Sequence, residues 1–334
     1  MSHRADRQQR FYQWTRKHIS TKLAKIAAVS MACGLTAISA ASAQTFVQGD
    51  VTPLEARAAK YIEFRNDVQI VDATPIDNSE VTRDAHNRLG SHTADDLSSG
   101  FIAYAALVAA DTPAFVESIQ ARVAQDRDGF LAELRSTPGS VWNLSGAYAA
   151  EEAIKMMAAQ DATYVEGLGQ RYISEAYAMQ NKGWAKRALS TDGPTRLYEA
   201  ENYSYSRSRM ATPVLPATMS GGVRTPGLNS YDRMWATNWG TTNATPLTNA
   251  RARPIITRAL VLAARYSVGD LTDSIVNGYA KSENTRRCYY SAKLNLDQCI
   301  SATRTSTEEV FCIGKHGLGE VSGCVGWIAN AGAR

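Results

Sequence analysis

Histidines are scarce among the residues that could carry catalysis in this chain. Only His86, His92 and His316 lie beyond residue 43. Nucleophilic catalysis by serine or cysteine needs a general base nearby, and histidine most often supplies it. The chain contains no G-x-S-x-G, S-x-x-K or H-E-x-x-H motif, which are the patterns of three large hydrolase classes. His316 is a candidate catalytic residue, although the helix dipole also favours a histidine near a helix C-terminus.

His86 and His92 belong to the one group of residues that resembles a set of metal ligands. Three acidic residues lie close to them in the sequence, namely Asp84, Asp95 and Asp96. Two imidazoles with carboxylates could bind zinc. The segment between the histidines includes Asn87 and Gly90, and a six-residue separation matches no helical register. The last two aspartates equally fit the first turn of a helix. We therefore predict no metal and no other cofactor.

Glu151 and Glu152 are the paired carboxylates that an exported glycan hydrolase would require. Adjacent residues on a helix point about 100° apart, so these two cannot flank one glycosidic bond. One of them could act as an acid together with a distant aspartate. The other interpretation is a solvated helix face, which needs no catalytic role.

Four cysteines cluster near the C-terminus, at Cys288, Cys299, Cys312 and Cys324. An even number of cysteines in an exported chain predicts disulfides, and the spacing lacks the close C-x2-C pairs of structural zinc sites. If both limbs are helical and antiparallel, an inner Cys299–Cys312 bridge and an outer Cys288–Cys324 bridge can form. Five glycines between residues 314 and 326 favour instead a short helix followed by an irregular tail. The other two connectivities stay open.

Residues 191–253 form an irregular insertion rich in glycine, proline, serine and aromatic residues. Its aromatic residues make it a candidate contact surface for proteins or sugars, because tyrosine and tryptophan anchor interfaces and stack on sugar rings. The residues proposed for this surface are Tyr203, Tyr205, Tyr231, Trp235 and Trp239. The alternative is that these side chains pack a long loop onto the helical body. Ser220-Gly221-Gly222 within it predicts a turn.

Apolar residues at helical spacing predict a mainly helical, all-α fold. Residues 44–93 form an N-terminal segment, in which a capping box at residues 52–55 starts a helix that ends near Phe64, and residues 68–71 are extended. Residues 94–190 form a helix bundle. Its four helices begin after Thr93, after Thr112, after Thr137 and near Ala162, and their short connections favour an antiparallel arrangement.

Residues 254–334 form a C-terminal helical region with two disulfides. One helix begins at Pro254 and ends near Gly269, and another is capped by Asp270 and continues through the first two cysteines. Ser306 with Glu309 three residues later predicts a further capping box.

The first 43 residues predict export. Seven Lys/Arg residues lie between Arg4 and Lys25, a small-apolar run covers residues 26–41, and Ala41-Ser42-Ala43 is a small-x-small site. This order is that of a secretory signal peptide, with cleavage between Ala43 and Gln44. The mature protein is then expected in the periplasm or outside the cell.

The charge of the chain depends on this leader. The whole chain carries 36 basic and 32 acidic side chains. Without the seven basic residues and Asp6 of the leader, 29 basic and 31 acidic residues remain, so the balance predicts no nucleic-acid partner. The strongest other apolar run, residues 101–110, is shorter than the ~20 residues of a membrane helix. It predicts a buried helix and no integral membrane segment.

These features favour a non-enzymatic cell-envelope protein with a structural or scaffolding role. Its expected partners are other envelope proteins or further copies of itself, with a glycan as a further option. The alternative is an exported glycan or peptidoglycan hydrolase that uses a helix carboxylate. A third hypothesis, a periplasmic solute-binding protein, is disfavoured because alternating strands and helices are missing from the pattern.

Overall fold

Helices make up about four-fifths of the chain that the structure describes, which confirms the predicted fold class. The computed structural model describes residues 51–206, 217–226 and 252–329. These ranges contain eleven α-helices, α1 to α11: Pro53–Ala73, Ser79–Gly90, Ala94–Ala110, Pro113–Ser136, Ala147–Ala178, Gly193–Ser206, Arg253–Ser267, Asp273–Tyr279, Glu283–Ala302, Ser306–Cys312 and Val321–Ala329. They also contain the 3-10 helices Pro138–Asn143 and Met179–Asn181, the π-helix Ile313–Glu320, and strands β1 Ala217–Ser220 and β2 Val223–Pro226.

Helix α3 lies at the centre of the core. Thr93 caps it by accepting a hydrogen bond from the backbone N–H of Asp96 at 3.1 Å, as the helix-start pattern predicts. Every residue from Leu97 to Leu107 is buried, because α1, α5, α7 and α9 all pack against this helix. A helix surrounded in this way is apolar on all sides. Helices from the N-terminal, middle and C-terminal parts of the chain therefore share one core.

Helix α1 is longer than predicted. Its capping box is confirmed, since the N–H of Thr52 donates to Glu55 Oε2 at 2.8 Å and the N–H of Glu55 donates to Thr52 Oγ1 at 3.3 Å. The helix continues to Ala73, so the prediction of an extended segment at residues 68–71 is wrong. Val68 and Val71 lie three positions apart and are both buried in the core. Their burial outweighs the weak preference of valine for strands.

The third and fourth helices predicted for residues 94–190 form a single helix. A short 3-10 helix begins at Pro138, and α5 then runs for 32 residues. The predicted boundary near Ala162 is wrong because Asp161 is a buried residue in the middle of α5. Its carboxylate accepts hydrogen bonds from the Tyr61 hydroxyl at 2.8 Å and from Arg65 at 3.0 Å.

Part of the predicted insertion is regular. Helix α6 covers residues 193–206 of it, and β1 pairs with β2 in an antiparallel hairpin. Gly221 and Gly222, with φ of 58° and 77°, form the hairpin turn and confirm the turn predicted there. Positive φ at both central positions is the requirement of a two-residue hairpin loop. Residues 207–216 and 227–251 lie outside the described residues.

Helices α7, α8 and α9 are separate elements. Helix α7 ends at Ser267, and Gly269, with φ of 72°, follows it as predicted. Thr272, rather than Asp270, caps α8. The predicted continuation into the cysteine-bearing helix is wrong, because α9 has its own cap at Ser282.

Helix α10 begins one residue before the predicted position. Thr305 and Glu308 form its capping box, with the N–H of Thr305 donating to Glu308 Oε2 at 3.0 Å. The predicted pair of Ser306 and Glu309 is therefore wrong. This shift of one residue turns Glu309 into the protein interior, where its side chain is fully buried.

Helix α10, the π-helix and α11 follow one another without interruption and pack along α9. The expectation of an irregular tail is wrong, because the glycines allow close helix packing. A Cβ atom added at Gly314 would lie 2.8 Å from the carbonyl oxygen of Gly169 on α5. Only glycine permits this approach of the two backbones.

Candidate functional site

Two nested disulfides join α9 to the helices that follow it. Cys299–Cys312 is the inner bridge and Cys288–Cys324 the outer one, with Cα atoms 5.7 and 5.6 Å apart. The predicted pairing of all four cysteines is confirmed, in the nested connectivity. Disulfides are typical of proteins in a non-reducing, exported compartment.

An apolar groove, here called the Tyr177 groove, lies beside the inner disulfide. It has a volume of about 460 Å³ and is formed by the ends of α5 and α9 together with α10. Its lining is mainly apolar and includes Ala176, Tyr177, Cys299, Ala302, Phe311 and Cys312. A volume of this size falls within the range of ligand sites, on the order of 300–1,000 Å³.

Two aromatic rings dominate this groove. Tyr177 is 60 % exposed. Its ring meets Phe311 edge-on, with ring centroids 6.1 Å apart and an interplanar angle of 76°. Edge-to-face packing holds both rings in place without covering them. The groove therefore presents a preformed aromatic surface to solvent.

The face of α10 that points away from the Tyr177 groove carries a buried carboxyl group. Glu309 is fully buried, and three nitrogen atoms surround its Oε1 atom. They are Arg83 Nε at 3.7 Å, His86 Nδ1 at 3.9 Å and Arg196 Nε at 3.9 Å. We call these four residues the Glu309 cluster. Burial raises the pKa of Glu309, while the charges of Arg83 and Arg196 act in the opposite direction.

Arg196 is the anchor of this cluster. Its guanidinium group donates to the backbone oxygens of Thr191 at 2.9 Å, Ile300 at 2.7 Å and Thr303 at 2.9 Å. It also donates to the Thr303 hydroxyl at 2.7 Å. A guanidinium presents five N–H donors in a fixed geometry, which suits it to binding several carbonyls at once. Arg196 therefore ties α6 to the end of α9, directly behind α10.

His86 is the neutral member of the cluster. It is fully buried, and neither ring nitrogen makes a hydrogen bond. Burial, together with the positive charges of Lys293, Arg83 and Arg196, lowers the pKa of His86 to about 3. At neutral pH the ring is thus uncharged.

His86 and His92, the proposed metal ligands, are not brought together. His92 Nε2 lies 2.7 Å from Asp67 Oδ2 and its ring packs edge-on against Phe64, whereas His86 faces Glu309. Among the residues that the structure describes, no group of three histidine, cysteine or acidic side chains is arranged to hold a metal ion. Both histidines are buried in the interior.

Glu151 and Glu152 both contact Lys155, one turn further along α5. Lys155 Nζ lies 2.9 Å from Glu151 Oε1 and 3.3 Å from Glu152 Oε1. Glu152 is well exposed, while Glu151 is largely covered. The two carboxylates share one ammonium group, which matches the solvated-face interpretation for Glu152.

His316 lies on the π-helix, and its ring is oriented by a carboxylate. Nδ1 lies 2.7 Å from Glu320 Oε1, while the amide of Asn295 donates to Glu320 Oε2 at 2.8 Å. A carboxylate that orients a histidine ring in this way resembles the base and orienting residue of a catalytic triad. π-Helical segments often occur at functional sites. A nucleophile bonded to His316 is not found in the described part of the chain.

The aromatic residues predicted as a contact surface are only partly described. Tyr203 is half-buried on α6, its hydroxyl donates to Asp84 at 3.2 Å, and Arg88 lies over its ring. Tyr205 belongs to the same helix. The other three, Tyr231, Trp235 and Trp239, lie outside the described residues. For Tyr203, packing onto the helical body is what the structure shows.

Sequence reasoning missed the Tyr177 groove and the Glu309 cluster. Tyr177 and Phe311 are 134 positions apart in the chain, and the members of the cluster come from three helices. Neither the types of these residues nor their positions in the sequence predict that they lie together. The one local clue was that Glu309 is an acidic residue near a predicted helix start. It led to the prediction that Glu309 is part of a capping box.

The chain matches no protein-family model, no curated protein and no solved structure. Within the described ranges, no single helix is both long and apolar enough to cross a membrane; joined together, the bent pair α3 and α4 meets that criterion.

Proposed function

We propose that this chain is an exported, non-enzymatic envelope protein that binds another protein through the Tyr177 groove. The observation that carries the proposal is the exposed Tyr177–Phe311 pair beside the inner disulfide. The sequence of the leader predicts cleavage between Ala43 and Gln44 and a mature chain in the periplasm or outside the cell. The disulfides agree with that location.

The groove has the properties of an interface hot spot. Hot spots are enriched in tyrosine and lie in preformed pockets, where one or two side chains of the partner become fully desolvated. The inner disulfide fixes α10 to the end of α9, so little ordering is needed when a partner binds. A groove of about 460 Å³ accommodates a few large apolar side chains of an envelope protein or of a second copy of this chain.

Site-specific photo-crosslinking in intact cells tests this proposal. A photoreactive phenylalanine analogue replaces Tyr177 in one strain and Tyr148 in a control strain. Tyr148 lies near the start of the same helix and is 58 % exposed, against 60 % for Tyr177. We expect a discrete protein adduct from position 177, lost when Phe311→Ala is added, and no matching adduct from position 148. Equal adducts at both positions, or none at 177, would contradict the proposal.

A glycan hydrolase is the second candidate, and the oriented His316–Glu320 pair is the observation that favours it. Zymography on cell-wall material separates the two candidates. A clearing band that disappears in His316→Ala and persists in Lys315→Ala would favour the hydrolase.

A further inference from the structure

Helix α10 connects the Tyr177 groove to the Glu309 cluster. Thr307 and Phe311 on one side of this helix line the groove, while Glu309 on the other side is buried against α2 and α6. The helix has only seven residues. A change in how it packs on the cluster therefore moves the groove lining as well.

His86 is the group in this cluster whose charge can change in mild acid. Its neighbours on the packed elements are Arg83 on its own helix, Arg196 and Glu199 on α6, Lys293 on α9 and Glu309 on α10. Three of these groups are cations, and Arg83 already pairs with Glu199. A proton on the buried imidazole would add a further positive charge, with Glu309 Oε1 3.9 Å away as the nearest carboxylate oxygen.

We propose that protonation of His86 in mild acid releases α10 from α2 and α6 and thereby opens the Tyr177 groove. The biological meaning of this opening rests on the proposed function, in which the Tyr177 groove is the contact surface. The release of α10 does not, because it follows from the contacts of the Glu309 cluster. An uncharged, unbonded imidazole surrounded by cations is compatible with packing, whereas an imidazolium at the same place must reach water.

The direction of the pH effect follows from linkage. The pKa of His86 is about 3 in the folded protein, against about 6.5 for an exposed histidine. Above pH 6.5 the packed and the open states bind the same number of protons at this group. Below it the open state takes up a proton that the packed state does not, so packing weakens as the pH falls. At pH 5 the difference favours opening about thirtyfold.

Hydrogen exchange measured by mass spectrometry on the full chain tests the proposal. After correction for intrinsic rates, we expect protection of the α10 amides to fall by up to about thirtyfold between pH 7.5 and pH 5. The figure is an upper limit because the raised pKa of Glu309 acts against the His86 effect. The amides of the central helix α3 serve as the internal reference and should keep their protection. In His86→Gln, which cannot ionise, the fall in α10 should disappear.

The pH profile of the wild type decides the matter if His86→Gln does not fold. A fall in protection that is driven by His86 begins near pH 6.5, the pKa of an exposed histidine, whereas a fall driven by carboxylates begins below about pH 5. We therefore expect the loss of α10 protection to be evident already at about pH 5.5.

The proposal is overturned if wild-type α10 keeps its protection at pH 5, or if His86→Gln shows the wild-type fall. A wild-type fall that begins only below about pH 5 would overturn it as well. The crosslinking at neutral pH tests the contact surface separately. If α10 opens in acid but position 177 gives no adduct, the proposed protein contact is refuted and the proposed acid response is retained.

Discussion

Glu309 Oε1 lies 3.9 Å from His86 Nδ1 across the contact between α10 and α2, and both side chains are fully buried. Neither of these atoms makes a hydrogen bond. A buried ionisable pair that is close but not bonded stabilises the fold less than a bonded pair would. The strength of this helix contact is consequently expected to depend on pH.

Loss of the Arg196 anchor should destabilise the protein strongly. Arg196→Met keeps the apolar stem but leaves the buried oxygens of Thr191, Ile300 and Thr303 without this donor. We expect a loss of about 3–5 kcal/mol in the free energy of unfolding, measured by urea denaturation. Arg304→Met, at an exposed site in the α9–α10 turn, is the control and should stay near the wild type. Similar losses in both variants would argue against the anchor role.

Two glycines on α5 should respond in opposite ways to alanine. A Cβ at Gly169 would lie 2.9 Å from the carbonyl oxygen of Gly314, whereas a Cβ at Gly167 meets nothing within 4 Å. Gly169→Ala should destabilise by about 2 kcal/mol because two backbones must separate. Gly167→Ala should stabilise by about 0.5–1 kcal/mol through helix propensity. Thermal unfolding followed by circular dichroism gives both values, and a stabilised Gly169→Ala would refute the close approach.

The two disulfides should contribute unequally to stability. They close loops with sequence separations of 13 and 36 residues. In the chain-entropy model the inner bridge contributes about 3 kcal/mol and the outer bridge about 4 kcal/mol. We compare the double variants Cys299→Ala/Cys312→Ala and Cys288→Ala/Cys324→Ala by denaturation under non-reducing conditions. A larger loss from the inner pair would show that packing at the groove, and not loop length, sets the difference.

The buried carboxylate of Asp161 should be essential for packing α1 onto α5. It accepts hydrogen bonds from the Tyr61 hydroxyl and from Arg65, and Arg65 also donates to the Tyr104 hydroxyl at 2.6 Å. Asp161→Ala leaves a buried guanidinium without its carboxylate, so we expect a loss of about 3–5 kcal/mol. Asp128→Ala, whose side chain is 94 % exposed, should leave the unfolding midpoint unchanged. Equal midpoints for the two variants would contradict this assignment.

Local sequence signals predicted the helical fold, the starts of α1, α3, α4 and α7, and the cysteine pairing. Thr52 with Glu55 and Thr93 with Asp96 cap helices as expected, because a cap depends only on residues within one turn. The disulfides follow from helical spacing and an even cysteine count. Where a boundary was wrong, as at Asp161 or residues 68–71, burial against a distant helix overrode the local preference.

The tertiary structure alone decided which residues meet. Glu309 looked like a capping residue, yet a shift of one position buried it against Arg83 and Arg196, more than a hundred residues away in sequence. Tyr177 was an ordinary helix residue until α10 placed Phe311 beside it. Caps and periodicity are properties of a few consecutive residues and can be read from the chain. The burial of a residue, the charges that surround it and the shape of a groove depend on how the helices cross. No single segment of the sequence encodes how they cross.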